Sequence, residues 1–282
     1  MTQKTKKFIA FVMIVMVIIL ANKSIMMVKD LNLFKRNNEN KAMLVPFLTL
    51  NTDSAISISF DDLYSPHAIL VNLDDKTILM QKESEAKIYP ASLTKIMTAI
   101  VAIENLSNLR MDIKLPYSIF DELYKLDASI AGFQPGEKVK AIDLLYGILL
   151  PSGAECCIGI AANMAGSEEN FVKLMNEKAK ELSMSNTHFS NTTGLHDENH
   201  YTTVKDMAIL LSYALQNDTF REIFTSSSYT TKPTNKHSDG ITFYSTMFQK
   251  LENINKNSNK NNKIADGTKS AILLFLLLFL LI

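Results

Sequence analysis

The run from Ile96 to Ile103 constrains this chain more than any other stretch. Ile96, Met97, Ala99, Ile100, Val101 and Ile103 leave it without a solvent-facing side, and a helix apolar nearly all round belongs inside a domain. Pro90 suits the first turn of such a helix, which is predicted to start near Ser92 and run to about Asn105. Ser92 and Lys95 are three positions apart and so share one face. A serine is a weak nucleophile at its ordinary pKa and needs a neighbouring base. A lysine half-buried among apolar side chains loses proton affinity and can be that base. One segment therefore predicts both a central helix and a hydroxyl–amine pair at its head.

The 282 residues carry 29 basic and 29 acidic side chains. That balance, with no basic stripe interleaved with aromatics, argues against nucleic acid or another polyanion as partner. Lys4, Lys6 and Lys7 precede fourteen apolar residues, Phe8 to Ala21. A basic start before an apolar stretch of that length matches a secretory signal and is short for a membrane span. The expectation is export, with residues 1–21 as signal peptide or N-terminal membrane anchor and residues 22–60 as a polar linker. Roughly 200 residues then remain, enough for one well-buried core. Cys156 and Cys157 are adjacent and are the only cysteines. A bridge between neighbours is strained, so they read as two buried thiols on a helix. They supply neither a disulfide framework nor a metal set, and no cofactor is expected.

Along the chain, His67–Asn72 and Lys76–Met80 flank Leu73-Asp74-Asp75 and read as a hairpin. Residues 108–142 read as mixed and loop-rich, with a turn at Gln134-Pro135-Gly136-Glu137. Asp143–Leu150 is an apolar helical stretch halted at Pro151-Ser152-Gly153, after which Ala154–Met164 restarts a helix. Glu168–Met184 is amphipathic and leads into a turn-rich loop, Ser185–Tyr201. Thr203 and Asp206 are spaced as a capping box for a helix Val204–Leu215. Ile241–Tyr244 reads as a short strand, and Asn253–Asn262 as an Asn/Lys-rich loop. The order predicts an α/β (α+β) fold: a sheet flanked by helices, with a helical cluster.

Three segments occur in a telling order: Ser92-Leu93-Thr94-Lys95, then Pro151-Ser152-Gly153-Ala154, then His188-Phe189-Ser190-Asn191-Thr192-Thr193-Gly194-Leu195-His196-Asp197. Taken together, from about Tyr64 to about Phe248, the chain resembles the serine D-alanyl-D-alanine carboxypeptidases, the low-molecular-mass penicillin-binding proteins of peptidase family S11. Penicillin-binding proteins carry Ser-x-x-Lys, Ser-x-Asn and Lys-Thr-Gly motifs. The resemblance implies a penicillin-binding-protein/serine β-lactamase-like fold, an antiparallel sheet flanked by helices with a helical subdomain. It also implies removal of the terminal D-alanine from peptidoglycan stem peptides ending in D-Ala-D-Ala, with β-lactams as acylating inhibitors. Ser92 would attack the carbonyl, Lys95 would take its proton, and Ser152 would relay a proton to the leaving D-alanine. Gly153 would contact substrate, and the Ser92 N–H would form half of the oxyanion hole. From the residues alone, Ser152 has a second reading as the N-cap of the following helix.

Two departures accompany the resemblance. Ala154 stands where the motif has Asn, which removes a side-chain amide. Asp266-Gly267-Thr268-Lys269-Ser270, followed by twelve apolar residues, Ala271–Ile282, stands where Lys-Thr-Gly is expected. The expected domain is thus residues 61–266, incomplete at its C-terminus. Residues 267–282 read as an aberrant hydrophobic tail, too short for a span, better explained by a disrupted reading frame than by an anchor or a replacement strand. The competing function is a catalytically inactive wall-peptide binder or truncated pseudoenzyme. A β-lactamase fits less well for want of a Glu-x-x-x-Asn motif after Ser152. A zinc peptidase built on His196, Asp197 and His200 lacks a His-Glu-x-x-His helix; loop hydrogen bonding accounts better for those residues.

Overall fold

The computed structural model describes residues 49–50 and 65–250. The segment 1–21, most of the 22–60 linker, the Asn/Lys loop and the tail 267–282 lie outside the described residues.

The predicted hairpin forms from β2 (Ala68–Val71) and β3 (Thr77–Lys82), paired antiparallel with a register shift between Leu70 and Val71. Asp75 sets its turn: one carboxylate oxygen accepts from the Thr77 N–H at 3.0 Å and the Thr77 hydroxyl at 2.7 Å. β1 (Thr49–Leu50) lies parallel on the other edge of β3, with Thr49 opposite Thr77. Ile69, Val71 and Ile78 of this sheet pack on Val204 and Ala208 of helix α6 (Val204–Ala214), with Ile88 closing the cluster.

A 3-10 turn, Ala91–Leu93, leads directly into α1 (Thr94–Asn105), the central helix. Every residue from Thr94 to Ala102 is buried, because α1 is ringed by α3 (Ala141–Leu149), α4 (Ala154–Ala165), α5 (Glu168–Glu181), α6 and α7 (Asp218–Phe224). The apolar run dictates this place: no face of it could meet water at low cost. The break at Pro151–Gly153 separates α3 from α4 as predicted. Helix α5 starts on Ser167, whose Oγ accepts from the Asn170 N–H at 3.2 Å, and carries Glu168 and Glu169 early and Lys178 and Lys180 late. That polarity complements the helix dipole. Lys178 also ties α5 to α1 through Glu104 at 2.9 Å.

The Thr203/Asp206 spacing does mark the start of α6, since the Asp206 N–H donates to Thr203 Oγ1 at 3.0 Å. The carboxylate does not reach back as a capping box would. It accepts from the Asn186 N–H at 3.0 Å and the Thr187 hydroxyl at 2.7 Å, anchoring the loop before the helix.

Residues 108–142 hold more order than their composition suggests. α2 (Ser118–Lys125) lies between β4 (Asp112–Lys114) and β5 (Lys138–Lys140), which pair antiparallel. β6 (Ser228–Thr230) pairs with β7 (Thr242–Tyr244), the strand expected near Ile241. Tyr229 of β6 stacks on Tyr146 of α3 with ring centroids 3.5 Å apart, and its hydroxyl donates to the buried Asp143 carboxylate at 2.6 Å. The fold is mixed α/β as expected, with the strands of the described residues shared among three small sheets.

Ile100 is wholly buried at the centre of α1. Ile100→Ala is expected to lower unfolding free energy by about 2–5 kcal/mol, measured by urea denaturation; a loss under about 1 kcal/mol would show that the centre of the core lies elsewhere.

Candidate active site

Ser92 sits in the middle of the 3-10 turn and is exposed, whereas Lys95, on the next turn, is 4% exposed. The expected pair is brought together: Lys95 Nζ lies 3.4 Å from Ser92 Oγ. Its stronger hydrogen bond, at 2.8 Å, goes to the backbone carbonyl of Thr193. Just before the serine, Ala91 adopts φ +46°, a region an L-residue rarely occupies and one that clusters at functional sites.

Burial in an apolar helix pushes the Lys95 amine below the ordinary lysine range, against the nearby groups Cys157, Cys156 and Glu155. Burial also pushes the Cys157 thiol up to about 12 and Cys156 well above its ordinary value. Both thiols are therefore uncharged, and burial likewise raises the Glu155 carboxyl above its ordinary range, so burial dominates at Lys95. The cysteines are buried and unbridged on α4, as their adjacency predicts.

The carbonyl of Thr193 is aimed at Lys95 by its own loop. Asn191 Oδ1 accepts from the Thr193 N–H at 3.1 Å and the Gly194 N–H at 2.7 Å, while its amide donates to Leu195 O at 2.8 Å. Thr98, one turn below Lys95, donates to Thr192 O at 2.7 Å, and Glu168 accepts from the Thr192 N–H at 2.8 Å. Gly194 has φ +84°, and a Cβ there would fall 1.8 Å from the carbonyl oxygen of Ala91. Only glycine lets the loop lie this close to the nucleophile turn.

His200 completes the clasp. Its Nδ1 accepts from the Ser190 N–H at 3.0 Å, so the proton belongs on Nε2, which faces Thr94 Oγ1 at 2.7 Å. Burial and this acceptor role favour the neutral ring, and the His200 pKa is lowered to about 4, burial being the main cause. His196 instead packs edge-on against Tyr89, and Asp197 accepts from the Asn199 N–H at 2.7 Å. The loop-bonding account of these residues thus has specific partners.

Ser152 lies at φ +67° between α3 and α4. It does not cap α4: Gly153 holds the cap position and no side chain accepts there. Its hydroxyl is shielded from solvent and has no hydrogen-bond partner among the described residues, so it reaches neither Ser92 nor Lys95. Gly153 is buried, and its N–H donates to Gly147 O at 2.8 Å. Glu155 turns away from Lys95 and Ser92; its Oε1 accepts from the N–H groups of Ala131 (2.7 Å), Gly132 (3.0 Å) and Phe133 (3.3 Å). Sequence reasoning anticipated neither this nest nor the Thr193 carbonyl; the Asn191-x-Thr193-Gly194 turn was the available signal for the latter.

A family model described as D-alanyl-D-alanine carboxypeptidase, peptidase S11, matches residues 54–271. The chain belongs to that family. It is 37% identical over 149 residues to the D-alanyl-D-alanine carboxypeptidase DacF of Bacillus subtilis, covering 53% of this chain and 38% of that protein. DacC of Escherichia coli is 33% identical, with 50% of this chain and 37% of that protein covered. The chain thus spans well under half the length of these two carboxypeptidases. A D-alanyl-D-alanine carboxypeptidase of Streptomyces sp. strain K15 is 30% identical with 67% of each chain covered. A solved structure of a mutant Streptomyces K15 DD-transpeptidase superposes with a TM-score of 0.61 at 29% identity, covering 64% of this chain and 74% of that one. The penicillin-binding-protein fold expected for an S11 carboxypeptidase is accordingly the fold observed.

The His200 geometry makes a signed prediction. A histidine with a folded pKa of about 4 against an ordinary 6.5 stabilises the fold fully above pH 6.5. That contribution is lost as pH falls towards 4, because the unfolded chain takes up the proton first. The stability gap between the natural chain and His200→Gln should therefore narrow between pH 6.5 and 4 by up to about 3 kcal/mol. Thermal midpoints across that range measure it, and a constant gap would refute the assignment of His200 as a neutral acceptor.

Proposed function

We propose that this protein is an exported serine D-alanyl-D-alanine carboxypeptidase that removes the terminal D-alanine from peptidoglycan stem peptides. Ser92, Lys95 and Ser152 are its catalytic residues, Gly153 lies at the substrate edge, and residues 61–266 form the catalytic domain. The observation that carries this reading is an exposed serine whose hydroxyl lies 3.4 Å from a buried lysine amine.

The amine is well placed to act as base. Burial favours its neutral form, and the Thr193 carbonyl at 2.8 Å holds one N–H, leaving the lone pair free to turn to Ser92 Oγ. A contact of 3.4 Å is long for proton transfer, but such bonds commonly tighten when substrate arrives. Ser92 Oγ bonds to the carbonyl carbon of the penultimate D-alanine while Lys95 takes the hydroxyl proton. The Ser92 N–H, in the first turn before α1 where N–H groups lack intrahelical acceptors, stabilises the developing oxyanion. The C–N bond then breaks and the departing amine of D-alanine receives a proton through Ser152. That hydroxyl is shielded from solvent with no partner among the described residues, so it gives up no hydrogen bond when it takes up substrate. Water hydrolyses the acyl-serine ester and restores Ser92. No cofactor is needed for this balance.

β-Lactams present the same reactive carbonyl as a strained amide and are expected to acylate Ser92. Among the described residues no helix is long and apolar enough to cross a membrane. The apolar segment at 1–21 is the proposed export signal or anchor, placing the enzyme at the extracytoplasmic face of the membrane or in the wall. The family match continues to residue 271, so the inactive-fragment alternative is not favoured.

Fluorescent penicillin should label the protein at Ser92, and Ser92→Ala should abolish labelling. Lys95→Arg should slow acylation by about 10²–10⁴, the usual contribution of a general base, because arginine stays protonated. Near-normal labelling of Lys95→Arg would make Lys95 structural, and labelling of Ser92→Ala would remove the nucleophile.

A further inference from the structure

Glu155 is fully buried on the first turn of α4, three residues after Ser152. A buried carboxylate is costly unless it is hydrogen-bonded, and here one oxygen gathers three successive backbone N–H groups, from Ala131 to Phe133. Successive N–H groups converging on one point form an anion-binding nest. Glu155 fills that nest from within the chain.

The nest and the Ser152 turn are joined at several points. The Ala154 N–H donates to Ser129 O at 2.8 Å. A Cβ on Gly153 would lie 2.7 Å from the Ala131 Cβ and 3.0 Å from Glu155 Oε2, so the two backbones are in contact where the carboxylate sits. Segment 129–133 therefore forms a wall against residues 153–155. Ser152, at φ +67° with an unpartnered hydroxyl, has no hydrogen bond of its side chain to hold it there. Strained conformations persist only where their surroundings over-determine them.

We propose that Glu155 is the positioning residue for Ser152: its carboxyl group clamps the backbone of Ala131–Phe133 against Gly153 and thereby fixes the strained backbone of the Ser152 turn, on which the relay role of Ser152 depends. The relay rests on the carboxypeptidase reading; the clamp does not.

Two measurements on the full chain separate them. In Glu155→Gln an amide replaces the carboxyl group that the three N–H groups share, and amide hydrogen exchange should accelerate at least about tenfold at residues 131–133 and equally at Gly153 and Ala154, with α6 unchanged. Acceleration confined to 131–133, acceleration throughout the molecule, or none would each overturn the proposal. Glu155→Asp, which keeps the carboxyl group but withdraws it by one methylene, should give the same local pattern; failure of both variants to fold would assign Glu155 to the fold at large and also overturn it. In acylation by penicillin, Glu155→Gln should cost about tenfold or more in the natural chain but under about twofold in the presence of Ser152→Ala. Equal losses in both backgrounds would show that Glu155 does not act through Ser152. A natural chain that is never acylated would sink the carboxypeptidase reading, while the exchange pattern would still decide the clamp.

Discussion

Placing a primary amine inside an apolar helix bundle is the constraint on which the rest of this structure turns. An ammonium taken from water into such surroundings costs several kcal/mol even after relaxation. Lys95 meets that cost by favouring its uncharged form and by giving one N–H to the Thr193 carbonyl. Both devices need neighbours: five helices exclude water from α1, and the loop 185–201 delivers the carbonyl. The chemistry of the site is thus a by-product of packing, and a buried helix carries the lysine of the reactive pair.

The loop is built to be stiff. Asn191, Glu168, Thr98 and His200 each bind its backbone or fix its contact with the nucleophile turn. Asp206 anchors its near end at Asn186 and Thr187. Almost all of these bonds go from a side chain to a main-chain group, which is how an irregular segment satisfies buried backbone polarity. Gly194 against Ala91 then lets the loop register on the turn at van der Waals range. The loop and the nucleophile turn form one unit, and a change in either is felt by the other.

Much of this was legible in the sequence, and the reasons are local. α1 and α3 showed as dense apolar runs, α4 as a restart after the Pro151–Gly153 break, α5 as an amphipathic stripe, and α6 through its Thr203 cap. The β4–β5 ribbon was not legible, because Asp112–Lys114 and Lys138–Lys140 each bury one residue between two charged ones, too short a stretch for a period of two to register. α2 buries only Phe120 and Leu123, and α7 spans barely two turns. At the site, Ser92 and Lys95 were readable because their spacing alone places them on one face. The Thr193 carbonyl and the 131–133 nest were not, since every residue carries the same backbone groups and only tertiary structure decides which ones converge. Ser152 lies between these cases: its helix break was visible, but not its unpartnered hydroxyl.

The two cysteines hold a last consequence. Cys156 and Cys157 are wholly buried on α4, with thiols that resist ionisation. Oxidation and disulfide exchange proceed through an accessible thiolate, so neither sulfur is open to oxidants or to another protein's thiols while the domain is folded. These cysteines act as small apolar side chains. The folded domain is therefore indifferent to whether its surroundings are reducing or oxidising, and it is the unfolded chain alone, before α4 closes over them, that redox chemistry can reach.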